Sequence, residues 1–190
     1  MTLEQDKAAL RKRLKALRAD IPDTKRVAWS RRISARLFDI PEWQMARSVF
    51  AFVSYSTEVD THDIVRQLLQ DVEAVSVPRI IDQDHMLALR ITEWEQLQAD
   101  KMGILAPAEG EVWNEGVDIA ITPGLGFGER GHRIGFGAGY YDKWFASHPC
   151  KLKIALAFEA QIQDSIPVDK YDIPVDLIVT EKRLIDTRQA

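Results

Sequence analysis

"SVFAFVSYSTEVDTHD", residues 48–63, changes character halfway along. Val49 to Val53 are apolar at both parities, so an extended chain here must be covered on both faces, as the central strand of a parallel sheet is. The strand is expected over 48–55. The polar stretch after it carries Glu58 and Asp60, and Asp60 or Thr61 can cap a helix over 61–70.

The same alternation of strand and helix extends in both directions. Leu3, Leu10, Leu14 and Leu17 recur at a 3.6-residue period and predict an amphipathic helix over 2–19. Lys7, Arg11 and Arg18 form a second stripe beside the apolar one. Charges at such a seam either reach into a cleft or cover the core with their stems. Pro22 and Asp23 open a second helix over 24–39. Short strands are expected at 74–79 and 86–91, and "VDIAIT" (117–122) is another buried strand, ending at Pro123-Gly124. A helix over about 139–147 and strands at 153–158 and 177–180 follow. No repeat, low-complexity stretch or linker interrupts the pattern, so residues 1–190 read as a single α/β domain with crossover connections. In such sheets ligands gather beyond the C-terminal ends of the strands. That rule selects two loops, 54–60 and 123–139.

Composition narrows the class. The chain is 46% hydrophobic and 28% charged, and no apolar run is long enough to span a bilayer. The N-terminus lacks an apolar signal region and carries Glu4, Asp6 and Asp20, so neither a signal nor a transit peptide is expected, and a cytoplasmic location is. Cys150 is the only cysteine, which excludes an internal disulfide and a multi-cysteine zinc site. The net charge of −4 hides an asymmetry: residues 1–36 hold 11 Lys and Arg against 4 Asp and Glu, a local +7 on an acidic body. Such a segment suits nucleic acid, a membrane surface or a small polyanion.

Loop 123–139 contains "HRIGFGAGYYDKW" (132–144), with glycines at 135, 137 and 139. Alternating glycines let backbone approach a ligand closely and turn successive N–H groups toward one anion. A helix beginning near Gly139 adds its positive end, and Arg133 supplies bidentate charge. The stretch therefore describes either an anion cradle, most plausibly for a phosphate chain, or a glycine-rich crossover needed only for tight packing. It is no dinucleotide fingerprint, since residue 140 is tyrosine where a third glycine is required, and it lacks the G-K-[ST] of a Walker loop. Of Tyr140 and Tyr141, one is expected to stack on a flat ring and the other to face the core. Asp142 either complements the helix dipole or holds nucleotide-bound Mg²⁺. His132 is the only loop histidine; His62, His85 and His148 have no metal-ligand spacing, and Cys150 has no basic partner to activate it.

"PGLGFGERGHRIGFGAGYYDKW" (123–144) resembles the signature of the 5-formyltetrahydrofolate cyclo-ligase (5,10-methenyltetrahydrofolate synthetase) family, approximately P-G-hydrophobic-x-F-D-x-x-G-x-R-L-G-x-G-x-G-Y-Y-D. Lys7 with Leu10-Arg11, "SYSTEVDT" (54–61), "VPR" (77–79) and "DIPVDLIVT" (172–180) match further family landmarks in order. Two departures stand out: Gly128 replaces the usual Asp, and Ile134 replaces Leu. The resemblance implies a three-layer sandwich, with a mainly parallel central sheet and helices on both faces, of the NagB/RpiA/CoA-transferase-like type. It implies ATP- and Mg²⁺-dependent conversion of 5-formyltetrahydrofolate to 5,10-methenyltetrahydrofolate, with release of ADP and phosphate. By matching position, Lys7, Arg11 and the stretch Arg133, Ile134, Gly135, Phe136, Gly137, Ala138, Gly139, Tyr140 and Tyr141 would face ATP, with Arg133 and Tyr140 as the catalytic pair. Phe136 to Tyr140 would also border the folate, with Val53 and Glu58 on its pterin side. Asp142 and Asp176 match metal-associated aspartates, although Asp176 precedes its strand and so falls toward the other edge of the sheet.

Two other readings keep some support from the residues. The glycine loop suits a sugar-phosphate or coenzyme A site on a similar α/β scaffold, with Glu58 as a catalytic carboxylate. The basic N-terminal helices alone suit nucleic acid, but "KAALRKRLKALR" has no aromatic interleaving and the body is acidic, so no nucleic-acid or membrane partner is expected. No coiled-coil heptad is present, and a monomer is expected.

Overall fold

The computed structural model describes residues 2–101 and 103–189. Helices α1 (Leu3–Ala19), α2 (Asp23–Phe38) and the single turn α3 (Pro41–Gln44) precede strand β1 (Ser48–Ala51). Next come α4 (His62–Asp71), the hairpin β2 (Ala74–Ile80) and β3 (Met86–Ile91), and the small hairpin β4 (Leu97–Ala99) and β5 (Leu105–Pro107). The second half holds β6 (Val117–Thr122), β7 (Gly126–Gly128), β8 (Arg133–Ile134), α5 (Tyr140–Ser147) and β9 (Cys150–Leu156). It ends with β10 (Ile162–Gln163), β11 (Leu177–Val179) and β12 (Leu184–Asp186).

A seven-stranded sheet runs β12-β11-β9-β6-β1-β2-β3. Its five inner strands are parallel, and the two edge strands are antiparallel. From β1 the chain builds outward first through β2 and β3, then on the other side through β6, β9 and β11. The order therefore reverses between β1 and β6, and a crevice opens beyond the C-terminal ends of these two strands.

Strand periodicity sets the two faces. Val49, Ala51, Ile119, Ile121, Ile154 and Leu156 pack with Ile33 and Leu37 of α2 and Ile64, Val65 and Leu68 of α4. Phe50 and Ala120 point the other way, where Trp144 of α5 stacks on Phe50 with ring centroids 4.3 Å apart. Helices thus cover both faces of one mixed α/β domain.

β1 leaves the sheet at Ala51, four residues before the sequence pattern ends. The Thr61 hydroxyl donates to the Phe52 carbonyl at 2.8 Å, and Thr61 Oγ1 accepts from the Ser54 N–H at 2.9 Å. Thr61 is therefore occupied in tying the loop, and Asp60 Oδ1 takes the His62 N–H that opens α4. The short strands β7, β8 and β10 form a separate small sheet against which α1 packs, through Leu14, Leu125, Ile134 and Ile166. That seat explains a departure in α1. Leu3 is 41% exposed, while the buried residues of the helix are Lys7, Leu14 and Arg18.

Candidate active site

A cavity of about 1160 Å³ opens at the β1/β6 switch point. Glu4, Lys7, Arg11, Lys15 and Arg18 of α1 line one wall, spaced 3, 4, 4 and 3 residues apart on one helical face. Loop 52–58 and the glycine loop with the start of α5 form two more walls, and Ile80 and Met86 close the rim from the β2/β3 hairpin. The charged stripe of α1 is thus turned inward. Lys7 is only 6% and Arg18 only 4% exposed.

β8 fixes Arg133 at the root of the glycine loop, 7% exposed, with its guanidinium 5.5 Å from the Tyr141 ring centroid. Arg133 Nη2 stands 2.8 Å from Asp142 Oδ1 as an ion pair. The contact lacks the alignment of a hydrogen bond, so Nε and Nη2 of Arg133 are buried without an acceptor. Residues 136–138 project into the cavity mouth, where Phe136 is 57% exposed. Gly137 has φ +118°, and Gly139, at φ +68°, caps α5 in the left-handed region. Tyr140, Tyr141 and Asp142 of the first turn of α5 line the cavity. Tyr141 is the core-facing tyrosine, 5.9 Å from the Phe50 ring, and burial pushes its phenol pKa up. Tyr140 is half-buried on the cavity wall, with its hydroxyl donating to the Asp82 carbonyl at 2.8 Å.

Across the cavity, Glu58 is largely buried. Oε2 accepts from the Tyr55 N–H at 2.9 Å, and Oε1 lies 3.9 Å from Arg18. Burial pushes the Glu58 carboxyl up from its ordinary range, against the pull of the Tyr55 N–H and the Arg18 charge. In the same loop Ser56 takes φ +57°, a conformation that costs a non-glycine residue about 1–2 kcal/mol.

Lys7 is held by two carboxylates, Asp169 at 2.7 Å and Asp172 at 2.5 Å. Burial opposes its charge, but the two hydrogen bonds outweigh it and raise the Lys7 pKa. Arg11 pairs with Glu4 at 2.7 Å, and its Nε is buried without a partner. Asp142 Oδ1 also accepts from the Ile173 N–H at 3.0 Å.

Lys7, Arg11, Val53, Glu58, the whole stretch 133–141 and Asp142 line this one cavity. Asp176 does not. It lies at the N-terminal end of β11, where its carboxylate accepts from the Lys153 N–H at 2.7 Å and pairs with Lys153 Nζ at 3.0 Å. A parallel strand presents its two ends at opposite edges of the sheet, so of the two aspartates expected beside a metal, Asp142 lines the cavity and Asp176 lies away from it. Among the described residues no group of three or more His, Cys, Asp or Glu could hold a metal. His132 is not a lining residue. Lys15 continues the stripe of Lys7, Arg11 and Arg18, and that spacing was the available signal for it. Asp169 and Asp172 lie in an irregular stretch that has no periodic signal.

A cavity of this size at the switch point of a parallel sheet, walled by buried cations and a glycine-rich helix entrance, is the ligand site of an α/β enzyme. Its lineage is narrower than that. Residues 3–181 match the model of the 5-formyltetrahydrofolate cyclo-ligase family, and the chain belongs to that family. Mouse 5-formyltetrahydrofolate cyclo-ligase is 31% identical over 189 residues, covering 92% of this chain and 91% of its own. The Escherichia coli K12 enzyme of the same name is 27% identical over 80% of this chain and 87% of its own. The solution structure of Aquifex aeolicus 5,10-methenyltetrahydrofolate synthetase superposes with a TM-score of 0.86 at 30% identity, over 97% of this chain and 94% of that one. The Mycoplasma pneumoniae 5,10-methenyltetrahydrofolate synthetase shares the fold, with a TM-score of 0.72 at 22% identity over 93% of this chain and 99% of that one. The sugar-phosphate and coenzyme A alternative is not favoured by any of these relatives.

Proposed function

We propose that this chain uses ATP with Mg²⁺ to convert 5-formyltetrahydrofolate to 5,10-methenyltetrahydrofolate, releasing ADP and phosphate. One observation carries the reading beyond family membership. The buried Arg133 guanidinium, with two nitrogens lacking acceptors, sits at the root of a glycine loop inside a cavity large enough for two ligands.

A formamide carbon is a poor electrophile, and its oxygen leaves poorly. The formyl oxygen attacks the γ-phosphorus and the bond to ADP breaks. N10 then attacks the activated carbon, loses its proton, and the C–O bond breaks to expel phosphate. No protein nucleophile is needed, so the side chains align the reactants and stabilise charge on the transferred group. Arg133 and the N–H groups of 137–141 meet the phosphates, with Lys7 and Arg11 across the cleft. Phe136 and Tyr140 border both ligands. Val53 and Glu58 meet the pterin, with Glu58 accepting from its N–H edge.

Mg²⁺ fits here only as an ion that arrives with the nucleotide. Such ions are held by one or two carboxylates plus phosphates, which a single Asp142 can satisfy. When bound, it neutralises charge on the phosphate oxygens.

The test is absorbance in the methenyl-folate band with 5-formyltetrahydrofolate and Mg²⁺, with and without ATP, for the native chain and Arg133→Ala. The native chain should give an ATP-dependent rise, and the variant should lose on the order of 10²-fold in turnover. No rise from folded native protein overturns the reading.

A further inference from the structure

Arg18 is 4% exposed, lines the cavity, and touches three separate pieces of its wall. Nε donates to Thr57 Oγ1 at 3.0 Å, and Nη1 donates to the Gly124 carbonyl at 3.2 Å. Nη1 is also 3.9 Å from Glu58 Oε1, and the guanidinium sits 5.5 Å from the Phe136 ring centroid. A single cation thus joins the loop after β1, the turn after β6 and the glycine loop. A buried arginine spanning three loops is a costly way to fill space, since an apolar side chain would pack at lower desolvation cost. Its position beside a buried carboxylate gives it a specific task.

We propose that Arg18 is a positioning residue that keeps Glu58 ionised and aimed as the acceptor for the pterin N–H edge, and so sets affinity for the folate but not for ATP. This rests on the folate reading above.

The groups facing Glu58 are few. Arg18 approaches from α1 and Tyr141 from α5, while the Tyr55 N–H belongs to its own loop. Tyr141 is held in its neutral form by burial and does not titrate near neutrality. Arg26 bears on Arg18 from α2. Among the described residues Arg18 is thus the one side-chain cation bearing on Glu58, beside the Tyr55 N–H that also holds its carboxyl down. An opposite charge at this range shifts a carboxyl by one unit or more. Without Arg18, burial acts unopposed by a cation, Glu58 holds its proton to higher pH, and folate affinity becomes pH-dependent.

The experiment is equilibrium titration with 5-formyltetrahydrofolate, read by tryptophan fluorescence at about pH 6.5 and about pH 8.5, alongside the KM for ATP. The native chain should vary little between the two conditions. Arg18→Met should bind on the order of tenfold more weakly at the lower pH and recover most of that loss at the higher one, with the KM for ATP changed less than about twofold. Arg18→Lys, which keeps the charge, should restore the flat profile. The double variant R18M/E58Q should be weak and flat. Arg18→Gln, which keeps a donor for Thr57, is expected to behave as Arg18→Met and serves if that variant does not fold. Unchanged affinity in Arg18→Met or Arg18→Gln overturns the proposal. So does a loss equal at both pH values and shared by ATP, since that marks a merely structural role. A native chain that neither binds 5-formyltetrahydrofolate nor forms the methenyl product overturns the functional reading instead.

Discussion

Substituting alanine in turn at Gly135, Gly137 and Gly139 separates two reasons for a glycine loop. If the loop needs its backbone conformation, cost follows φ; if it needs clearance for the ligand, cost follows proximity to the ligand. Gly137, at φ +118°, occupies a region that side-chain-bearing residues almost never enter, while the nearest atom to an added Cβ is Arg11 Cζ at an ordinary 3.7 Å. Its penalty is therefore conformational, about 2–3 kcal/mol. Gly139, at φ +68°, has nothing within 4 Å of an added Cβ, so alanine there costs about 1 kcal/mol. Gly135 lies outside the left-handed region, and an added Cβ would meet Arg133 Nη1 at 3.6 Å, so conformation costs it little. Residues 136–138 are exposed, so the unliganded loop relaxes and the penalty falls on binding. At about 1.4 kcal/mol per tenfold, ATP affinity should fall more than about 30-fold for Gly137→Ala, about fivefold for Gly139→Ala and less than about threefold for Gly135→Ala. Isothermal titration with a non-hydrolysable ATP analogue measures this, and melting temperatures should move by less than about 4 °C. Equal losses at the three sites, or the largest at Gly135, refute conformational control and assign the glycines to ligand clearance.

The remaining expectations concern groups away from the loop. Asp176→Asn should leave Mg²⁺ activation and turnover intact while lowering stability by about 1–2 kcal/mol, because it weakens acceptance from the Lys153 N–H; Mg²⁺ titration of activity and chemical denaturation check the two halves. Asp118 is held down to about 2 by its hydrogen bond to Lys151 and by the Arg47 and Ser48 amides, against an ordinary 3.8. A depressed carboxyl stabilises the fold above its ordinary pKa and loses that contribution as pH falls from about 4 toward 2. The shift bounds the effect at roughly 2 kcal/mol, and because Lys151 is 82% exposed, screening reduces it to about 1 kcal/mol. Asp118→Asn should flatten acid unfolding in that window by this amount. Burial pushes the Cys150 thiol up to about 11, so reaction with a disulfide reagent near pH 8 should run at least tenfold slower than for a free thiol, and Cys150→Ser should keep full activity.

The parallel core was legible because its strands are buried on both faces, and apolar runs such as 49–53 and 119–121 arise for that reason. Helix α1 was legible from periodicity, and α2 and α4 from their start and capping signals, each to within one or two residues at its ends. The small sheet β7-β8-β10 was not. Its strands are two or three residues long, and β7 begins and ends in glycine, so no alternation can develop. The extent of β1 was overread for a different reason: residues 52 and 53 are apolar because they line and underlie the cavity, not because they remain in the ladder. At the site, the glycine loop could be found from residue type and spacing, while spacing left Lys7, Arg11 and Glu58 open and the family resemblance singled them out. Asp169 and Asp172 could not be found, since only the fold brings the 164–173 stretch against the first turns of α1.

The charge asymmetry of the sequence has its physical account in these pairings. A basic segment of local +7 reads from sequence as a surface for external polyanions, yet its most inward cations already have partners within the domain. Lys7 is matched by Asp169 and Asp172, Arg11 by Glu4 and Arg18 by Glu58, and Arg133 from the second half of the chain is matched by Asp142. Cations buried at this level without counter-charges would destabilise the domain by several kcal/mol each. The carboxylates therefore hold the cavity together, and on the proposed reading a phosphate chain would exchange with them instead of meeting bare charge. Such exchange favours ligands that offer several anionic oxygens in one fixed array, because a single anion would displace a carboxylate that is already well placed. Where two donors of Arg133 and one of Arg11 are buried without acceptors, the exchange is incomplete in advance, and those nitrogens are where a phosphate oxygen gains most.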